Sequence, residues 1–221
     1  MASILTFLRS LFGRRSKHRH FPQKPQRPPY ILAIDTETYA MMYKDENNRT
    51  VYPPMVELAC VRYDKDGNEV ETYRTLVQPP KGYIIPTDSF VYNKFSRSQL
   101  EAEAVPPEEA LSHFFDMLSR SGCLLGHNIQ FDLYVIREYM TIDSPANWHY
   151  SDYPWIDTSS PPMCLGKEHG IKQNHITLPH LHTLLFGHPY DNPHHALFDA
   201  RACARIYFEM IRQGDASWPI S

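Results

Sequence analysis

Residues 30–38 read Tyr-Ile-Leu-Ala-Ile-Asp-Thr-Glu-Thr (YILAIDTET). The apolar run of residues 30–34 has the length and composition of a buried β-strand, and two carboxylates appear where the run ends. Downstream, residues 55–63 and 70–77 flank the turn signal Asp66-Gly67-Asn68 and read as a β-hairpin. Pro106-Pro107-Glu108-Glu109 then opens a helix that carries Ala110, Leu111, Phe114, Phe115 and Leu118 on one face. A short apolar strand over 122–126 leads into a helix over 129–140, with Phe131, Val135, Ile136 and Tyr139 turned inward. Residues 155–157 form a further strand candidate, and 177–186 a short helix. The last helix spans 196–211, with Ala196, Ala200 and Ala204 along one face. This order predicts a three-layer α/β domain, a mixed central sheet flanked by helices. Residues 38–54 and 78–97 read as irregular stretches, the first a candidate loop at the rim of a site.

Composition limits what the chain can be. The 221 residues suit one domain plus a tail, and 42% hydrophobic with 21% charged residues is ordinary for a protein that buries a core. No apolar run approaches the ~18 residues of a membrane-spanning helix. The four cysteines (Cys60, Cys123, Cys164, Cys203) form no Cys-x-x-Cys pair, which fits reduced thiols in a cytoplasmic protein better than disulfides or structural zinc.

The net charge of −3 hides an asymmetry. Seven of the 22 basic side chains (Arg9, Arg14, Arg15, Lys17, Arg19, Lys24, Arg27) fall in residues 1–30, which hold no acid. That leaves 15 basic against 25 acidic residues beyond, a balance of −10. An acidic body is not the profile of a simple DNA-coating protein; one that acts on nucleic acid does so through bound cations. Residues 1–29 read as a basic, Pro-rich tail in which Ile4, Leu5, Leu8, Leu11 and Phe12 stand at helical spacing. A short amphipathic helix there would lie on a membrane surface or dock to a polymerase or another partner; the alternative is a disordered basic tail with a little apolar character. The domain proper spans 30–214, with a C-terminal tail over 215–221.

Three short motifs fall at element ends. In Asp35-Thr36-Glu37 two carboxylates spaced i, i+2 project beyond the sheet together. By itself Asp-x-Glu means little, since it arises about once by chance in a chain of this length. His127-Asn128-Ile129-Gln130-Phe131-Asp132 follows a strand and enters a helix, with Asn128 as a natural N-cap and Asp132 in the first turn. His194-His195-Ala196-Leu197-Phe198-Asp199-Ala200 enters the last helix. The His-x-Ala-x-x-Asp-Ala pattern arises by chance about once in a thousand such chains, and Asp199 lies among apolar neighbours.

Two-metal phosphoryl transfer explains such a set. Two Mg²⁺ or Mn²⁺ ions need several carboxylates from separate elements, and a neutral histidine nearby takes the proton of the attacking water. Asp35, Glu37, Asp132 and Asp199 are the carboxylates and metal ligands of this reading, and His194 is the base.

DTE, HNxxFD and HxAxxDA, in this order, resemble the three exonuclease motifs of the DnaQ-like (DEDDh) 3′–5′ exonucleases. The resemblance covers residues 30–212, and the stretches WIDT (residues 155–158) and LPHLHTLLFG (residues 178–187) are also similar to the family. It implies a ribonuclease H-like fold and metal-dependent hydrolysis of nucleic acid from the 3′ end, with release of nucleoside monophosphates. By position, Asp35 would bridge both metals, Glu37 and Asp199 would stand on the nucleophile side, and Asp132 would hold the second metal through water. His194 stands where the family's general base stands. Thr36, Thr38, Tyr39, His127, Asn128 and Phe131 are the expected contacts to the 3′-terminal nucleotide of a single strand. Tyr39 or Tyr43, in an insert that departs from the family, would either stack on the terminal base or cover the edge of the core.

DNA is the favoured substrate, in repair or in proofreading beside a separate polymerase chain. The alternatives are an exoribonuclease of the same family and an inactive nuclease fold that only binds partners. The twelve histidines also raise zinc binding, through His180 and His182. No cysteine stands at ligand spacing, and a helix over 177–186 would point those two rings apart.

Overall fold

The computed structural model describes residues 27–139, 153–160 and 176–220. The N-terminal amphipathic segment and all the tail's basic residues but Arg27 lie outside the described residues, as do Cys164, His169 and His175.

A five-stranded sheet runs β5–β4–β1–β6–β7. Its strands are β1 (Ile31–Thr38), β4 (Met55–Tyr63), β5 (Glu69–Leu76), β6 (Cys123–Gly126) and β7 (Trp155–Asp157). The small hairpin β2 (Tyr43–Lys44) and β3 (Thr50–Val51) stands apart from it. β1 pairs antiparallel with β4 and parallel with β6, so the sheet is mixed and changes direction at β1. Crevices at the carboxyl ends of strands form at such a switch point. The DTE motif ends the strand that lies there.

Strand alternation sends the two halves of β1 to two cores. Ile31 and Ala33 pack with Ala59 and Val61 of β4 against the long helix α6 (Ala196–Gln213). Leu32 and Ile34 face the other way, against α3 (Pro107–Ser119) and α4 (Ile129–Arg137). Ala196, Ala200 and Ala204 are fully buried, and their small side chains let α6 lie close on the sheet. Gly126 ends β6 where a Cβ would come within 2.8 Å of the Ile129 side chain, so only glycine admits the tight entry into α4.

The two stretches that read as irregular hold structure. Within 38–54, Asp45 closes β2 and β3 by accepting from the amides of Asn47 and Arg49 at 2.9 and 2.8 Å. Within 78–97, α1 (Ser89–Tyr92) forms, and α2 (Arg97–Glu103) starts at the end of the stretch with a capping box between Ser96 and Gln99. α5 (Leu178–Phe186) ends on left-handed Gly187 at φ 78°. Ala216, Trp218 and Ile220 pack on the α6 core, and the Tyr207 hydroxyl donates to the Ser217 carbonyl at 2.6 Å.

Tyr39 corrects an expectation. Its ring is fully buried with Val56, Leu76, Phe95 and Leu100, and its hydroxyl donates to the Val77 carbonyl at 2.7 Å. A phenol with one polar tip is placed this way to anchor an insert, and its ring forms part of the wall of the hollow beside Glu37 and His194. Tyr39→Phe, which strands that buried carbonyl, is expected to cost ~1–3 kcal/mol of stability in a urea titration while leaving KM for a nucleic acid unchanged.

Candidate active site

The alternation that splits the core also builds the site. Asp35 and Glu37 continue the β1 face that meets α6, and Asp199 comes down to them from the first turn of that helix. Thr36 faces the opposite core, and from there it takes hold of Asp132 in α4. Its amide and its hydroxyl both donate to Asp132 Oδ1, at 2.8 and 2.7 Å. Asp132 is therefore fixed by the backbone of the strand that carries the other two acids. Thr36 itself is buried and committed to this role, which corrects its expected place against the nucleotide.

His194 stands in the left-handed region at φ 65° and is exposed, and its amide donates to Asp199 Oδ2 at 3.2 Å. Single ligand atoms of Glu37, His194 and Asp199 all lie within 4.8 Å of one another, the one such His/Cys/Asp/Glu grouping among the described residues. His180 is exposed on α5, while His182 is buried against Phe186 and Tyr190 with Nδ1 3.0 Å from the His188 carbonyl oxygen.

The electrostatics are those of a cation site. Burial, then the charges of Asp132, Glu37, Asp199 and Glu57, hold the Asp35 carboxyl well above its usual range. Burial, followed by Asp199, Glu57 and Asp132, pushes Glu37 up to about 8, against a small opposing pull from Lys94. Asp132 is pushed up to about 7 by burial, although its bonds from Thr36 act the other way. Asp199 is raised by burial too, opposed by the Tyr190 hydroxyl and by His194. Acids so placed favour either protons or metal ions. Asp199 Oδ1 is buried without a hydrogen-bond partner, an orphan that a divalent cation would satisfy. The donor set, carboxylate oxygens with one histidine, suits Mg²⁺ or Mn²⁺. The residues present fit the metals that the motifs imply.

Two hollows meet at His194. One, of about 530 Å³, is bordered by His127, Asn128, Ser159, Thr177, Tyr190 and Asp199. The other, of about 510 Å³, is bordered by Glu37, Thr38, Tyr39, Ala40, Met41 and Asn93. His127 is locked in its wall, with Nδ1 2.9 Å from Thr158 Oγ1 and Nε2 2.7 Å from the Ile176 carbonyl oxygen. Asn128 occupies the N-cap position of α4, yet it is left-handed at φ 62° and its side chain caps nothing. Its amide donates instead to Asp157 Oδ1 at 2.7 Å. The Thr38 hydroxyl donates to the Ala40 carbonyl at 2.7 Å, and Phe131 lies on the α4 core with its ring 5.9 Å from that of Tyr52.

Sequence reasoning missed three participants. Glu57 of β4, almost fully buried, stands directly opposite Glu37 in the strand register. Tyr190, beside Asp199, has its hydroxyl proton held firmly by burial and by the neighbouring acids. Lys94 donates to the Pro193 carbonyl at 2.8 Å and ties the α1–α2 segment to the loop that carries His194. None of the three lies in a recognisable motif.

The family model for RNase T-type exonucleases matches residues 32–207. The chain belongs to this exonuclease family. A comparison with curated proteins gives no match. Among solved structures, Escherichia coli exonuclease I in complex with a dA16 oligonucleotide has a TM-score of 0.62 at 17% identity, over 83% of this chain and 41% of that one. A 3′-exonuclease described by its 3′-end specific recognition of a histone mRNA stem-loop has a TM-score of 0.63 at 17% identity, over 96% of this chain and 70% of that one. A full-length 3′-exonuclease has a TM-score of 0.62 at 19% identity, over 87% of this chain and 64% of that one. This exonuclease chain thus spans less than half the length of exonuclease I. Likeness at these identities shows the fold, a ribonuclease H-like α/β sheet with helices on both faces. No helix among the described residues is long and apolar enough to cross a membrane.

Proposed function

We propose that this chain is a metal-dependent 3′–5′ exonuclease of the DEDDh type, which removes nucleoside 5′-monophosphates from single-stranded nucleic acid. The observation that carries the reading is the meeting of Glu37, His194 and Asp199 within 4.8 Å, at the junction of two hollows. Asp35, Glu37, Asp132 and Asp199 would hold two divalent cations. Such ions, when bound, neutralise the scissile phosphate and lower the pKa of a water to be used as nucleophile. The chain's own residues do the rest. His194, exposed and projecting between the hollows, accepts the proton of the attacking water at a ring nitrogen. The His194 amide on Asp199 Oδ2 fixes the distance between base and carboxylate. Thr36 holds Asp132 by Oδ1 alone, with two donors. The strand end enters through the two hollows, with the wall of His127 and Asn128 on one side and Thr38 on the other.

DNA is the first substrate to test. RNA is the second reading, favoured by the 3′-exonuclease that recognises histone mRNA and matches over 96% of this chain. The basic residues of the tail would add non-specific phosphate contacts or tether the protein to a partner.

The test is digestion of 5′-labelled single-stranded DNA and RNA of equal sequence with Mg²⁺, Mn²⁺ or chelator. A cation-dependent ladder shortening from the 3′ end is expected, and the faster strand names the substrate. His194→Ala is expected to lower kcat by ~10²–10⁴-fold with KM little changed, as for the loss of a general base. Wild-type protein that cuts neither strand with either metal would move the reading to a binding scaffold.

A further inference from the structure

The carboxylate of Glu57 is spoken for on every side. Its Oε1 accepts from Arg74 Nε at 2.6 Å and stands 3.1 Å from His195 Nδ1. Its Oε2 accepts from the amide of Ala196, the first residue of α6, at 3.2 Å. Both oxygens are engaged, one of them by the Arg74 guanidinium, so Glu57 is not a free metal ligand as its neighbour Glu37 is. What it holds is the entrance to α6. That entrance has no side-chain cap of its own, since His195 occupies the N-cap position without bonding a first-turn amide. An acid supplied from β4 takes the place of the cap and complements the positive end of the helix.

The residue before this entrance is His194, held at φ 65°. A non-glycine residue in that region persists only where its surroundings fix it from more than one side. Here they do. Asp199 Oδ2 takes the amide of His194, and Glu57 Oε2 takes the amide of Ala196 two residues on, while the His195 ring between them lies 3.1 Å from Glu57 Oε1 without a hydrogen bond.

We propose that Glu57 is a positioning residue of the exonuclease reaction: with Arg74 it pins the His195–Ala196 entrance of α6, and so fixes His194 and Asp199 against Glu37. The inference rests on the nuclease reading for its kinetic consequence but not for its structural one.

The experiment compares Glu57→Ala and Glu57→Gln with wild type by single-strand digestion and by Mn²⁺ titration followed by electron paramagnetic resonance. Rates are expressed per folded protein from circular dichroism. Glu57→Ala is expected to lower kcat and Mn²⁺ affinity by ~10–100-fold, the usual range for a partner that orients a metal ligand, with KM within about threefold. Glu57→Gln, which keeps an acceptor for the Ala196 amide, is expected to recover most of both. A merely structural role would reduce the folded fraction and leave both per-molecule quantities unchanged, and that result would overturn the proposal. A rise in KM at constant kcat would overturn it as well, because it would place Glu57 against the substrate. If wild type binds Mn²⁺ without cutting any strand, weakened binding in Glu57→Ala keeps the positioning role while the nuclease reading falls. Wild type that neither binds Mn²⁺ nor cuts sinks both.

Discussion

Asp35→Asn is expected to lower nuclease turnover by ~10³-fold or more and, in the same preparation, to raise the melting temperature of the metal-free protein. The first effect follows from Asp35's place. It is the acid that senses all of Asp132, Glu37, Asp199 and Glu57, so it stands at the centre of the charge that divalent cations would neutralise. Loss of a ligand to cations that stabilise several kcal/mol of transition-state charge is a loss of about three powers of ten, at ~1.4 kcal/mol each. The second effect has the opposite sign because stability and function ask different things of this residue. Its carboxyl is held well above the usual range, so at neutral pH the folded state must either ionise it against its neighbours or keep a proton on it. An amide of the same shape removes that conflict. Each kcal/mol gained appears as ~2–4 °C in a protein of this size. A scan in chelator and a digestion with Mn²⁺ read the two effects. A variant that loses activity and stability together would mean that Asp35 is a structural anchor and that the charge conflict is absent.

The site was legible in the sequence to the extent that its residues sit at the ends of elements with clear periodicity. Asp35 and Glu37 follow a continuous apolar run, Asp132 and Asp199 fall in first turns, and in the structure the charges of Asp132, Glu37 and Asp199 all bear on Asp35. Glu57 escaped for the opposite reason. It lies inside the apolar strand MVELACVRY, where a single acid carries no pattern, and its partners Arg74 and the Ala196 amide meet it only through β-pairing and the return of α6. Tyr190 and Lys94 stand in connecting segments whose course depends on tertiary contacts. Of the two readings open for Tyr39, stacking on a base and covering the core edge, the structure takes the second: the ring seats the insert on a core of its own. The α2 helix was within reach, since Ser96-x-x-Gln99 is a capping-box signature, but the neighbouring prolines and glycine obscured it.

Metal removal provides the remaining large effect. Glu37 and Asp132 have folded-state pKa values pushed up to about 8 and about 7, against ordinary values of 4.5 and 3.8 in the unfolded chain. A group whose folded pKa is raised holds more protons in the folded state than in the unfolded one. Stability then falls as pH rises between the two values, because the unfolded chain ionises first. The chelated protein is therefore expected to be most stable on the acid side, near pH 5, and to lose melting temperature steadily up to about pH 8. Divalent cations should reverse this slope. They bind the ionised carboxylates of the folded state, in competition with protons, so their effect grows with pH over the same window. At a free concentration ~100 times Kd, one bound ion adds ~2.7 kcal/mol, or roughly 5–10 °C at ~2–4 °C per kcal/mol. The measurement is a pair of thermal scans, with EDTA and with Mn²⁺, at pH 5.5 and pH 8. The Mn²⁺ shift should be large at pH 8 and small at pH 5.5, and in Asp35→Asn it should shrink at pH 8. Equal shifts at both pH values would mean that the ion binds elsewhere than at these proton-holding acids.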